Sequence, residues 1–207
     1  MNMNTKTATD VFSDWAEIGK DEGMEQGHGP SVNTMIELIL PFMKSNFTFI
    51  DIGCGNGWVV RKFQSNLHCT KAIGIDGAEN MIQKAKQIDP HGDYILATLP
   101  QWAPQEKFDL AMSMEFMYYL HQPQEFLASV YEHWLNSDGW LVFGIDHYLE
   151  NESSHAWPEK LGVHMTTLSE QGWRDCLESI GFQHVTSRRT GASDDWAGTL
   201  ILMGQKP

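Results

Sequence analysis

At 207 residues, with 42% hydrophobic and 20% charged positions, the chain has the size and composition of one ordinary globular domain with a buried core. Its net charge of −13 argues against nucleic-acid binding, which needs clustered Lys and Arg; the densest basic group is Arg188-Arg189, followed by Lys84 and Lys86, and neither makes a stripe. No apolar run approaches the roughly 20 residues of a bilayer span, the N-terminus lacks a secretory signal pattern, and Cys54, Cys69 and Cys176 form no CxxC pair, so the expectation is a cytoplasmic protein without membrane, disulfide framework or zinc knuckle.

In chain order, residues 1–30 are polar and glycine-spotted (GKDEGMEQGHGP) and read as a mobile arm with a short helix. Ser31 is expected to cap a helix running to about Lys44, with Met35, Leu38, Ile39 and Phe42 on one face and Pro41 shortening its end. An alternation of elements then begins. Phe47 to Ile52 reads as a strand, and Trp58 to Leu67 as a helix burying Val59, Val60, Phe63 and Leu67. Ala72 to Ile75 is a second strand, followed by a helix from Ala78 to Ile88 with Met81, Ile82 and Ala85 inward. Tyr94 to Ala97 and Phe108 to Met112 are the third and fourth strands. Pro123 to Leu135 is a helix and Trp140 to Ile145 the fifth strand. Leu168 to Ile180 is a helix closed by Gly181. Gln183 to Arg189 and Gly198 to Met203 complete the sheet, antiparallel at one edge because Gly191 to Trp196 leaves no room for a crossover helix. The pattern predicts one α/β domain over 1–207: an arm or lid (1–30), and a core (31–207) with helices on both faces of a largely parallel sheet.

The stretch FIDIGCGNG places Asp51, Gly53, Gly55 and Gly57 between the first strand and its helix. Glycine tolerates positive φ and close backbone approach, and a ligand in such a sheet sits beyond the strand ends. The D-x-G-x-G-x-G spacing differs from the G-x-G-x-x-G of a dinucleotide site, which disfavours an NAD-type oxidoreductase. Asp51 opposes a pyrophosphate and suits a cation. Asp76, ending the second strand in AIGID, can accept hydrogen bonds from a ribose.

These features resemble the class I, Rossmann-like S-adenosylmethionine-dependent methyltransferases. FIDIGCGNG, GIDGAENMIQKAK, KFDLAMSMEFMYYL and SDGWLVFGID carry the likeness, well from about Phe47 to Asp146 and in outline beyond. The resemblance implies a three-layer α-β-α sandwich of seven strands in the order 3-2-1-4-5-7-6, with strand 7 antiparallel. It implies S-adenosyl-L-methionine as cofactor, held by Asp51, Gly53, Cys54, Gly55, Asp76, Gly77, Met81, Thr98, Leu99 and Met114. Cys54 is read as packing rather than nucleophilic. Many relatives have an acid after the third strand for the adenine; DYILATLPQW has none, leaving Ala97, Thr98 and Leu99 to serve.

The acceptor should lie after the fourth strand, where methyl transfer needs in-line placement and exclusion of water. Glu115, Tyr118 and His147 are the candidate catalytic residues, His147 being the first choice of general base because of its unperturbed pKa near 6.5. Trp15, Lys20, Met24 and His28 of the arm, with Tyr119, His155, Trp157 and His164, are the candidate acceptor contacts, the long connection at 147–168 forming much of the pocket. Nine histidines without an HxxxH or HxH pair give no metal site. The leading function is methyl transfer to a small molecule on O, N, S or C, by a monomer or homodimer. The alternatives are a non-catalytic S-adenosylmethionine-binding regulatory or scaffold protein and a protein methyltransferase. An RNA methyltransferase is disfavoured by charge and by SMEF in place of an NPPY-like tetrapeptide.

Overall fold

The computed structural model describes residues 7–207. The first six residues of the expected arm lie outside the described residues. Strands β1 (Phe47–Ile52), β2 (Cys69–Asp76), β3 (Asp93–Leu96), β4 (Phe108–Met114), β5 (Leu135–Ile145), β6 (Gln183–Thr190) and β7 (Thr199–Gln205) form one sheet in the order β3-β2-β1-β4-β5-β7-β6. The first five run parallel to one another, while β7 runs antiparallel to both β5 and β6. Sheet order and strand directions are those expected.

Both faces of the central strands are buried, which is why they read as continuous apolar runs. On β1, Phe47 and Phe49 join one cluster with Val59, Val60 and Phe63. Ile50 and Ile52 join the opposite cluster with Trp134, Phe143 and Trp173. Helices α3 (Trp58–Gln64) and α4 (Glu79–Ile88) follow β1 and β2. Helix α5 (Pro123–Ser129), with a wide turn at Val130–Trp134, leads into β5, and α7 (Glu170–Ile180) precedes β6. Among the described residues no helix is long and apolar enough to cross a membrane.

Several expectations need correction. The arm is not a loose tether with one short helix: residues Ala8–Glu17 form α1 and Glu22–Ile39 form α2. Thr7 and Asp10 make a reciprocal capping box at the start of α1. Ser31 is not a cap but lies inside α2, one residue past Pro30, and its hydroxyl pairs with that of Thr199 on β7 at 2.8 Å. Packing of Val32, Met35 and Ile39 into the core overrides the low helix propensity of the preceding glycines. Phe42 is 54% exposed and lies against the Trp140 ring instead of facing the core. Leu67 is 96% exposed, because α3 ends at Gln64, three residues short of it. Leu135 belongs to the start of β5, not to the preceding helix.

Candidate functional site

The C-terminal ends of β1, β2 and β4 open onto a cavity of about 380 Å³, with a smaller chamber of about 40 Å³ beside the glycine turn. The turn is fixed by its own backbone: the amides of Gly53 and Cys54 both donate to the Ile75 carbonyl at 2.9 Å. The glycines do not all serve one ligand. A Cβ on Gly57, where φ is +79°, would lie 2.3 Å from the Tyr94 ring, so packing excludes a side chain there. Gly55 is the open one: a Cβ there would meet nothing nearer than Met81 Sδ at 3.9 Å, and Gly55 lines both chambers.

Asp51 ends β1 in the small chamber with Asn56. Asp76 ends β2 in the main cavity, and its carboxylate accepts from the amides of Gly55 (2.9 Å) and Ala78 (2.7 Å). Burial, and then the nearby Asp76 charge, pushes the Asp51 carboxyl up to about 8. Burial also raises Asp76, against the amides of Ala78, Gly55 and Gly77. Glu115, at the end of β4 with φ +59°, is raised well above the carboxylate range by burial and then by Asp146. It accepts from the Asp146 amide at 2.5 Å and from the Tyr118 hydroxyl at 2.6 Å.

Of the expected cofactor residues, Gly53, Gly55, Asp76, Gly77, Met81, Leu99 and Met114 line the main cavity. Asp51 and Cys54 line the small chamber. Thr98 lines neither, so the hydroxyl expected beside the adenine is not on the cavity wall. Burial raises the Cys54 thiol well above its ordinary pKa, in keeping with packing. Trp15, Met24, His28, Tyr119 and Trp157 line the main cavity, as do Glu115 and Tyr118.

Four expected acceptor-side residues fall elsewhere. His147 is buried beneath the site: its Nδ1 lies 3.2 Å from the Ser154 carbonyl and its Nε2 2.7 Å from the Thr167 hydroxyl. The strand-end position that attracted attention to it points its ring into the loop packing. Lys20 stacks its ammonium over the Trp15 ring, 3.7 Å from the centroid. His155 pairs with the Leu149 carbonyl, and His164 stacks on His121. Conversely, Ala8, Thr9 and Phe12 of α1, Phe116, and Lys160 and Leu161 of helix α6 (Trp157–Leu161) line the cavity without having been anticipated. The Thr7-x-x-Asp10 box ahead of Val11, Phe12 and Trp15 was the available signal for α1.

Helix α1 lies across α4. The Asn80 amide donates to Ser13 Oγ at 3.2 Å, and its side chain donates to the Ser13 carbonyl (3.3 Å) and to Glu17 (2.8 Å). A Cβ on Gly77 would lie 2.6 Å from the Thr9 methyl. Between the two helices, buried Asp21 takes an ion pair from Lys84 at 2.7 Å and a hydrogen bond from Asn56 Nδ2 at 2.9 Å.

These residues fit S-adenosylmethionine better than a phosphate-bearing nucleotide. Asp51 and Asp76 are in no ion pair among the described residues, a pattern that suits a cation. Asn56 Oδ1 is buried without a partner beside Asp51, ready for a donor such as an ammonium. Lys160 is, among the described residues, the one Lys or Arg side chain on the wall of the main cavity. Among the described residues, no group of three or more His, Cys, Asp or Glu is arranged to hold a metal ion.

Comparison with known proteins agrees with this geometry. The sequence profile of the "Methyltransferase domain" family matches residues 28–187. Trans-aconitate 2-methyltransferase of Azoarcus sp. (strain BH72) is 26% identical over 121 residues, 55% of this chain and 47% of that protein. A protein of Invertebrate iridescent virus 6, 235L, named as a methyltransferase, is 36% identical over 69 residues, 33% of this chain and 26% of its own length. The chain thus spans less than half of either curated relative. Among solved structures, the complex between the Haloferax volcanii Trm112 methyltransferase activator and a methyltransferase matches with TM-score 0.81 and 24% identity, over 95% of this chain and 97% of that one. Human N-acetylserotonin methyltransferase in complex with S-adenosylmethionine matches with TM-score 0.70 and 16% identity, over 96% of this chain and 56% of that one. The family profile runs through the glycine turn, Asp76, Glu115 and Asp146, and the sheet has the strand order of the fold: the chain belongs to the methyltransferase-domain family, of the class I, S-adenosylmethionine-dependent type.

Proposed function

We propose that this protein transfers a methyl group from S-adenosylmethionine to a small, largely apolar acceptor. One observation carries the reading: a cavity at the strand ends lined by the half-buried acids Asp76 and Glu115 and by the aromatic side chains of Phe12, Trp15, Tyr119 and Trp157. Asp76 is placed to hold the ribose hydroxyls, Asp51 and Asn56 the amino-acid end, and Met81 and Leu99 the adenosine. When bound, S-adenosylmethionine supplies a methyl group on a positively charged sulfur. The chain's own residues place the acceptor in line with it, and the aromatic walls keep water out. Helix α1 acts as the lid, since Ala8, Thr9, Phe12 and Trp15 all face the cavity.

The aromatic-walled cavity and the charge of −13 favour a small metabolite over a nucleic acid or membrane surface. Its free cysteines agree with a cytoplasmic setting. The test is calorimetry with S-adenosylmethionine, followed by incubation of the protein with labelled donor and a metabolite extract that includes carboxylic acids, because one relative is named for trans-aconitate. Asp76→Ala should weaken donor binding at least about tenfold, the loss of charge-assisted hydrogen bonds. Label entering a protein and no small molecule would overturn the acceptor assignment; affinity for NAD and none for S-adenosylmethionine would overturn the donor.

A further inference from the structure

Two chambers meet at one wall, and two titratable side chains, His28 and Glu115, line both of them. In the methyl-transfer reading, that junction is where donor and acceptor must come together. Glu115 is already committed: one oxygen takes the Asp146 amide and the other the Tyr118 hydroxyl, and burial favours its neutral form. His147 is buried outside the cavity with both ring nitrogens close to oxygen partners. His28 differs from both. Its Nδ1 stands 3.9 Å from Asp146 Oδ2, which leaves Nε2 for the cavity. Asp146 is buried, and its Oδ1 has no hydrogen-bond partner.

We propose that His28 is the general base of the reaction and that Asp146 orients it, so that the acceptor arrives carrying a proton on the atom to be methylated, as a hydroxyl or an N–H compound. This rests on the methyl-transfer reading above. The acceptor's X–H bond breaks with the proton passing to His28 Nε2. The pair left on X forms the new bond to the methyl carbon, and the pair of the old carbon–sulfur bond stays on the departing thioether.

The frame around the pair is rigid. The buried Ser31–Thr199 hydrogen bond pins α2 to β7 three residues beyond His28. Asn151 Nδ2 donates to the Asp146 carbonyl at 2.6 Å, and the Asp146 amide is held by Glu115. At 3.9 Å the neutral imidazole and the carboxylate are near neighbours without a hydrogen bond. Closing by about 1 Å as the imidazolium forms brings them to the 2.7–2.9 Å of a charge-assisted bond, a tightening common in catalytic pairs. Burial lowers the His28 pKa against the raising effect of Asp146, which keeps the ring neutral and able to accept a proton near pH 7.

The titratable groups around His28 are Asp146 from β5, which its Nδ1 approaches, and Glu115 from β4, Asp51 from β1 and Asp21 from the start of α2, which line the small chamber with it. Histidine-selective NMR on the full chain, with His28→Gln to assign the signal, reads the pair directly. The expected result is a His28 pKa below 6.5 that falls further in Asp146→Asn, because the carboxylate no longer supports the imidazolium. An unchanged His28 pKa in Asp146→Asn would overturn the pairing whatever the activity. With the acceptor found by labelling, His28→Gln should lower kcat about 10²–10⁴-fold with KM little moved. The acidic limb of the kcat profile should shift to lower pH in Asp146→Asn. His28→Ala, partly rescued by added imidazole, serves as the second variant. Wild-type kcat in both His28 variants, or methylation of a carboxylate that is already ionised, would overturn the base. Failure of the wild-type protein to bind S-adenosylmethionine would instead strike the methyl-transfer reading, and the NMR result would still decide the pair.

Discussion

Asp51 and Asp76 end adjacent parallel strands, and the charge of Asp76 raises the pKa of Asp51 across the crevice between them. Burial is the larger cause, and the Asp51 carboxyl is pushed up to about 8. Its unfolded value is the ordinary 3.8. Between those two values the folded state holds a proton that the unfolded state has lost, so stability falls as pH rises from about 4 to 8.

Asp51→Asn should therefore raise the thermal midpoint of the ligand-free protein at pH 8 and leave it nearly unchanged at pH 4. The same substitution should weaken binding of S-adenosylmethionine. In the wild type at pH 7, binding a cation beside Asp51 should expel most of a proton. Calorimetry in two buffers of different ionisation enthalpy measures that release, and a heat independent of buffer would count against the assignment.

Buried Asp21 ties the start of α2 to α4 through Lys84, beside the Asn80 hydrogen bonds that hold α1. Asp21 is fully buried, while Lys84 keeps 21% of its side-chain surface exposed. Removing the lysine strands a carboxylate inside the protein. Lys84→Ala should cost about 3 kcal/mol, the low end for a broken buried pair because Lys84 is partly solvated. The loss should be local: hydrogen exchange should quicken across α1 and the start of α2 before it does in the sheet.

Acid should weaken the contribution of three histidines: buried His147, half-buried His28 and exposed His164. Burial lowers the His147 pKa below 6.5, and His28 and His164 shift the same way. In the window just under 6.5 the unfolded chain binds protons that the folded chain refuses. Their contribution to stability is complete above 6.5 and is lost as pH falls below it. Between pH 7 and 5 this loss opposes the gain from Asp51, so the difference in thermal midpoint between wild type and His147→Gln should shrink as pH falls from 7 to 5.

Gly57→Ala tests the turn apart from any ligand. The left-handed backbone and the 2.3 Å approach to Tyr94 should together cost at least about 2 kcal/mol, read from denaturant unfolding. Gly162, also at positive φ but with open space around it, should cost less when changed to alanine.

The sheet was legible because a strand buried on both faces writes its position as an unbroken apolar run, as in FTFIDI and LVFGI. The acids at strand ends were legible for the same reason, each standing where such a run stops. The arm was not. Gly23, Gly27, Gly29 and Pro30 all argue against a helix locally, and α2 forms because its later residues are clamped to the core. His147 misled because a one-residue step along the chain separates Asp146, whose carboxylate approaches His28, from a ring packed under the loop. No local pattern in the sequence marks His28 as facing Asp146, since that contact joins residues 118 positions apart.

Thr9 occupies the space a side chain on Gly77 would need, so α1 closes on the turn after β2 through that methyl group, beside the Asn80 hydrogen bonds. If α1 is the lid proposed above, a nucleoside held against Gly77 would leave only after that helix lifts from α4. Spent and fresh donor would then use the same doorway in turn, and its opening would set a ceiling on turnover however quickly the bond itself is made.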